Sequence, residues 1–166
     1  MQIELTKSGP LLQKDGSLAQ VGWARQPLLD CNLDAARFYA IQPFQFFRIK
    51  KWDYYAIFTP QYFFSATIAN LGYAGNIFVY ILNFETGELH EEGLVIPLGR
   101  GISLPRNSRS GISNFENKQV KLDFDAKSAQ RLISVSWPGF HGGRGIKAEI
   151  VLSQPEYFES MNIVIP

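Results

Sequence analysis

The sequence predicts an all-β protein: an antiparallel meander closing into a lipocalin-like barrel or half-barrel of about eight strands. Three observations carry that expectation. Aromatic residues reach 14%, with thirteen Phe and seven Tyr, and flat or β-branched side chains fit a pleated surface well. From Phe46 onward, apolar runs recur roughly every ten residues between turn signals. No long stretch of helical periodicity intervenes, which argues against a βαβ arrangement. A barrel of this size encloses side chains or one small ligand.

Residues 1–36 read as an irregular N-terminal arm, broken by Gly9-Pro10, Asp15-Gly16, Gly22 and Pro27. Residues 37–166 read as the β domain. Within the arm, Asn32–Arg37 fits one helical turn with an Asn cap, and Trp23 with Arg25 fits a cation–π pair that pins the arm. Strands are expected over 46–58, 62–70, 76–84, 88–96, 119–125, 130–137, 145–152 and 159–165. Thr59-Pro60-Gln61 and Gly72–Gly75 separate the first three. Glu85-Thr86-Gly87 closes a hairpin in which glycine supplies a positive φ. Residues 97–111 form a long loop carrying Arg100, Arg106 and Arg109, either a lid or a solvated excursion.

Alternation assigns the faces. Val120, Leu122 and Phe124 oppose Gln119, Lys121, Asp123 and Asp125, so this strand has one wet side. In 76–84, Phe78, Tyr80, Leu82 and Phe84 alternate with Ile77, Val79 and Ile81, and 62–70 repeats the pattern. Strands that are apolar on both faces need cover outside the core as well as within it. The arm, a second β domain or another subunit can supply it. The strand-like ending Met161–Pro166 predicts that the natural chain continues.

Composition narrows the function classes. A net charge of +1 gives no global field for nucleic acid. Cys31 is the single cysteine, so no intrachain disulfide forms. The N-terminus has no basic start followed by an apolar run, and no stretch is apolar for long enough to span a bilayer. These features predict a soluble, cytoplasmic protein. His90 and His141 lack neighbouring Cys or carboxylates at ligand spacing, so neither metal nor cofactor is expected. There is no Gly-x-Ser-x-Gly elbow, and no His lies beside Cys31.

Three stretches carry a resemblance: Gly22–Asp30 (GWARQPLLD), Lys50–Tyr55 (KKWDYY) and Phe63–Tyr73 (FFSATIANLGY). Together they resemble the N-terminal half of the domain-of-unknown-function 2804 family, over about Leu12 to the end. That family is distantly similar to tandem lipocalin-like proteins, including carotenoid hydratase and AttH-type proteins. The resemblance implies a calycin-type fold in two copies, with a ligand site in or between them. It implies no established activity.

The candidate ligand-binding residues are Arg48, Lys50, Trp52, Tyr54, Tyr73, His141 and Arg144. The first four share one face if strand 46–58 is unbroken, which makes either a cationic clamp beside aromatic walls or a solvated face. Asp53 and Tyr55 take the opposite face, where Asp53 is a general acid if buried or else a surface pairing group. Tyr73 reaches a barrel mouth or covers its rim. Gly139–Gly145 is an anion-binding loop through His141 and Arg144, or a plain hairpin turn. The leading expectation is a binding domain for an apolar or amphipathic small molecule, a lipid or isoprenoid. The alternatives are a lyase- or isomerase-type enzyme half with an acid/base residue in its cavity, and a structural half-module docking on a sister β domain.

Overall fold

The computed structural model describes residues 3–127, 129–155 and 157–165, with the backbone but not the side chain of Gln42. The predicted arm contains β1 (Gly9–Pro10), β2 (Gly22–Ala24) and β3 (Leu29–Asp30), then a 3-10 turn at Leu33–Ala35. A second 3-10 helix covers Gln42–Phe47. Next come β4 (Lys51–Phe58), β5 (Tyr62–Asn70), β6 (Ala74–Asn83) and β7 (Leu89–Pro97). After a long connection follow β8 (Gly111–Glu116), β9 (Lys121–Lys127) and β10 (Gln130–Trp137). The helical turn α1 (Phe140–Gly143), β11 (Ile146–Ser153) and β12 (Asn162–Val164) end the chain.

The all-β expectation holds, and the eight long strands form two antiparallel meanders ordered β4-β5-β6-β7 and β11-β10-β9-β8. Among the described residues no ladder joins the two into one cylinder. β12 pairs antiparallel with β2, and β1 pairs with β3 in parallel, the one departure from antiparallel pairing among these strands.

Both meanders contribute to a single core. Ala66, Ile68, Ile77 and Val79 from the first sheet meet Leu122, Phe124, Ile133 and Val135 from the second, each at most 2% exposed. Burying each of the larger side chains stabilises the fold by about 1.5–3 kcal/mol. Trp137 and Phe140 extend this core at α1, their rings 6.3 Å apart edge to face.

The outer faces differ. On the second sheet the register sets Asn114, Asp123, Ser134 and Glu149 in one row, and Glu116, Lys121, Ser136 and Lys147 in the next. That face is solvated. On the first sheet the outward rows run Trp52–Ala69–Asn76–Val95, Tyr54–Thr67–Phe78–Gly93 and Ala56–Ser65–Tyr80–Glu91, and Glu91 is the charged residue among them. Trp52, Tyr54, Phe58, Leu89 and Val95 are all exposed, whereas Ser65 and Thr67 are buried between the taller aromatics with no hydrogen-bond partner for their hydroxyls. The doubly apolar pattern of 62–70 and 76–84 thus corresponds to one core face and one bare aromatic face.

Several predicted boundaries shift. The strand expected over 46–58 begins at Lys51, because Pro43 and the Phe-rich run around it fold as 3-10 helix. Pro fixes φ and suits a first helical turn. β8 is a strand the sequence does not announce, since only Gly111 falls in the expected loop over 97–111 and the polar, interrupted pattern of Ser113, Asn114 and Glu116 hides the rest. The strand expected over 159–165 shrinks to Asn162–Val164. The expected hairpin turn at 139–144 is a helical turn distorted by left-handed residues, with His141 at φ 50° and Gly142 at φ 65°. Met1, Gln2 and Pro166, at the ends of segments discussed above, lie outside the described residues.

Candidate functional site

Asp53 and Tyr55 point inward from β4. The register sets them beside Ile68 and Ala66, both core residues, and the Tyr55 ring meets Phe124 edge-on at 5.1 Å. From the second sheet, Ser113 shares an inward row with Phe124 and Ile133, and Arg131 shares one with Ala126 and Leu152. Ser113 Oγ donates to Asp53 Oδ2 at 2.7 Å. Arg131 Nη2 donates to the Ser108 carbonyl at 2.9 Å, and its Nη1 bonds the Lys127 and Gln130 carbonyls. Arg131 therefore holds part of the 97–111 connection. The same connection is clamped to the arm by Arg106, whose Nε lies 2.8 Å from Asp30.

A cavity of about 720 Å³ opens over Asp53, Tyr55 and Arg131, with Leu152, Phe158 and Met161 among its apolar walls. A smaller one of about 350 Å³ lies on the other side of Asp53, toward Trp52, Leu104 and Cys31. Asp53 and Ser108 border both. Gln26, Pro27 and the tail residues Phe158, Ser160, Met161 and Asn162 rim the larger cavity, so arm and tail shape its mouth. The arm is held by Arg25, stacked 5.1 Å from the Trp23 ring and paired with Glu4 and Glu159.

Burial drives the electrostatics. It raises the Asp53 carboxyl above its ordinary value, against the opposing pull of the Ser113 hydroxyl, the Tyr54 amide and the Arg131 cation. Burial, aided by the Asp53 charge, pushes the Tyr55 phenol up to about 12, with Arg131 pulling the other way. At neutral pH Tyr55 is a neutral donor and Arg131 a fixed cation. Asp53 accepts hydrogen bonds and holds a proton more readily than an exposed carboxyl does. The set can orient a polar head group or exchange a proton with one. Among the described residues, no three His, Cys, Asp or Glu cluster as metal ligands.

The residues named from sequence are dispersed. Arg48 caps the 3-10 helix with its guanidinium over Phe38 and Tyr39. Lys50 bonds the Phe47 and Leu71 carbonyls, and its ammonium lies 4.3 Å from the Tyr73 ring. Neither shares a strand with Trp52 and Tyr54, which do lie on one face, the outer one. The premise of one unbroken strand face fails because the chain turns helical before Lys51. His141 is half-buried, its ring 3.6 Å from that of His90, and Arg144 beside it is exposed. His90 pairs with Ile81, near the end of β6 opposite Tyr73, so about 25 Å separates the two groups.

Ser113 and Arg131 were not anticipated. Arg131 had a signal: it occupies the apolar parity of β10, with Ile133, Val135 and Trp137. Ser113 had none, since its strand was not expected.

The family model described as "Domain of unknown function (DUF2804)" matches residues 2–166. The chain belongs to this family. The DUF2804 match covers both sheets, the arm and the tail, so the Asp53 cavity lies wholly inside the matched unit. No curated protein and no solved structure matches the chain.

Proposed function

We propose that this chain binds an amphipathic small molecule, a lipid or isoprenoid, with its polar head at Asp53, Tyr55 and Arg131. One observation carries the reading: a half-buried acid, a neutral phenol and a cation lie on the inner face of the sheets, open to a cavity of about 720 Å³. That volume suits a ligand site, and Leu152, Phe158 and Met161 give it an apolar side beside the polar Gln26, Ser108, Arg109, Gln154 and Asn162. In this reading the two sheets are an opened calycin-type barrel, bridged on one side by Ser113 and Asp53, and the lone exposed Cys31 suits a reducing, cytoplasmic setting. Native mass spectrometry and organic extraction of the purified protein test it. A co-purifying apolar molecule that Arg131→Ala and Tyr55→Phe each weaken at least tenfold supports the reading. A ligand-free protein that takes up no fatty acid or isoprenoid overturns it.

The raised Asp53 carboxyl favours a second reading, a lyase or isomerase half in which Asp53 donates a proton. Asp53→Asn would then retain ligand and lose turnover. The exposed aromatic face of β4–β7 supports a further element, docking of a sister β domain or subunit. Light scattering reads it: self-association of the isolated chain, relieved by charged substitutions at Phe58 and Val95, is the expected result.

A further inference from the structure

The stretch between Arg37 and Lys51 differs in chemistry from the rest of the molecule. It holds four of the sixteen Lys and Arg and none of the fifteen Asp and Glu, so the remainder of the chain is net acidic. Its apolar side chains are turned outward: Phe38, Tyr39, Ile41, Phe44 and Phe46 are between 41% and 60% exposed. They are contiguous. Tyr39, Ile41, Phe44 and Phe47 line one shallow cleft, Phe46 packs on Phe47 at 3.9 Å between ring centroids, and the Arg48 guanidinium lies over Phe38 and Tyr39. Exposed Tyr73, under the Lys50 ammonium, continues the patch.

This knob is braced. Gln45 is buried and accepts the Phe38 amide proton at 2.8 Å. Lys50 ties the Phe47 and Leu71 carbonyls together, and the Phe46 carbonyl presses on Gly72, where an added Cβ would stand 2.2 Å away. Outward aromatics on a firm base, with cations beside them and no acid among them, match a bilayer surface. Aromatic rings settle at the headgroup level, and long cationic side chains reach anionic headgroups. The outer face of β4–β7 lacks this complementarity, since Glu91 is its charge.

We propose that the Phe38–Phe47 knob, flanked by Arg48 and Lys50, docks the protein reversibly on an anionic lipid surface. The proposal stands apart from the cavity reading and needs no ligand bound there. Vesicle co-sedimentation tests it, with pure phosphatidylcholine against phosphatidylcholine containing about a third phosphatidylserine. Binding is expected to the anionic vesicles alone and to fall steeply from about 0.05 M to about 0.5 M salt. Arg48→Gln is expected to weaken it roughly fivefold, and the pair Phe44→Ser and Phe46→Ser to abolish it. Both side chains are exposed, and an unchanged urea midpoint shows that those variants fold. Equal binding to neutral vesicles, or no binding to either, overturns the proposal. So does self-association that the same variants relieve, which would make the knob a contact between copies of this chain. Loss of cavity ligand through Arg131→Ala with vesicle binding intact, or the reverse, separates the fate of this proposal from that of the cavity reading.

Discussion

Ser113 and Asp53 meet hydroxyl to carboxylate at 2.7 Å, joining β8 and β4, the edge strands of different sheets. The bond helps a half-buried charge that its surroundings disfavour. Because burial raises the Asp53 pKa in the folded protein above its ordinary 3.8, the folded state keeps a proton that the unfolded chain has released. Stability is therefore fullest below about pH 4 as far as this group is concerned, and falls as pH rises through the raised value. Urea titrations from about pH 3.5 to about pH 7 should reveal this slope, and Asp53→Asn should flatten it. Ser113→Ala should steepen it and cost about 1.5–3 kcal/mol near neutrality. A slope identical in wild type and Asp53→Asn would mean that another group sets it.

Removal of the Phe124 ring should destabilise the protein by about 3–5 kcal/mol, since Phe124→Ala empties the space where both sheets and Tyr55 converge. Phe58→Ser, at a position 72% exposed, should change the urea midpoint by less than about 0.5 kcal/mol equivalent. Comparable losses in the two variants would contradict the assignment of core and outer faces.

Ser65 and Thr67 offer the opposite sign. Their buried hydroxyls have no partner, and an unmet buried donor costs about 1–3 kcal/mol. Ser65→Ala and Thr67→Val should each stabilise the isolated chain by about 1 kcal/mol. Calorimetry showing a loss instead would mean that these hydroxyls are satisfied in solution.

Gly72 is held at φ 83° with the Phe46 carbonyl directly in the path of a side chain. Gly72→Ala should cost more than about 2 kcal/mol, combining left-handed backbone strain with displacement of the 3-10 helix. Gly87→Ala, at a similar φ of 72° but with open space around it, should cost about 1 kcal/mol. A thermal melt of the two variants distinguishes steric conflict from backbone preference alone.

The parity of apolar residues made the body of the fold legible. Val120, Leu122 and Phe124 against Lys121, Asp123 and Asp125 describe a strand with one wet face, and the structure has that strand. Period two also foretold that β5 and β6 are apolar on both sides. The candidate site was less legible because it depends on where β4 starts. Local backbone preference around Pro43 ends the expected strand early, and Arg48 and Lys50 leave the row that holds Trp52. The inward pair Asp53 and Tyr55 was visible as the other face of that strand. Its partners, Ser113 and Arg131, come from residues about sixty and eighty positions away, a distance that no local pattern encodes.

The pairing of β2 with β12 bears on the order in which the molecule assembles. Each meander joins neighbours in sequence, whereas Asn162 bonds the Ala24 carbonyl across a sequence separation of 138. Closing so long a loop carries a larger entropic cost than forming any hairpin in the body. The strands thus have reason to fold first, leaving the arm and tail to zip together afterwards around the Asp53 cavity. A seam that closes last is also the natural place to unzip, so arm and tail can part while the two sheets stay folded.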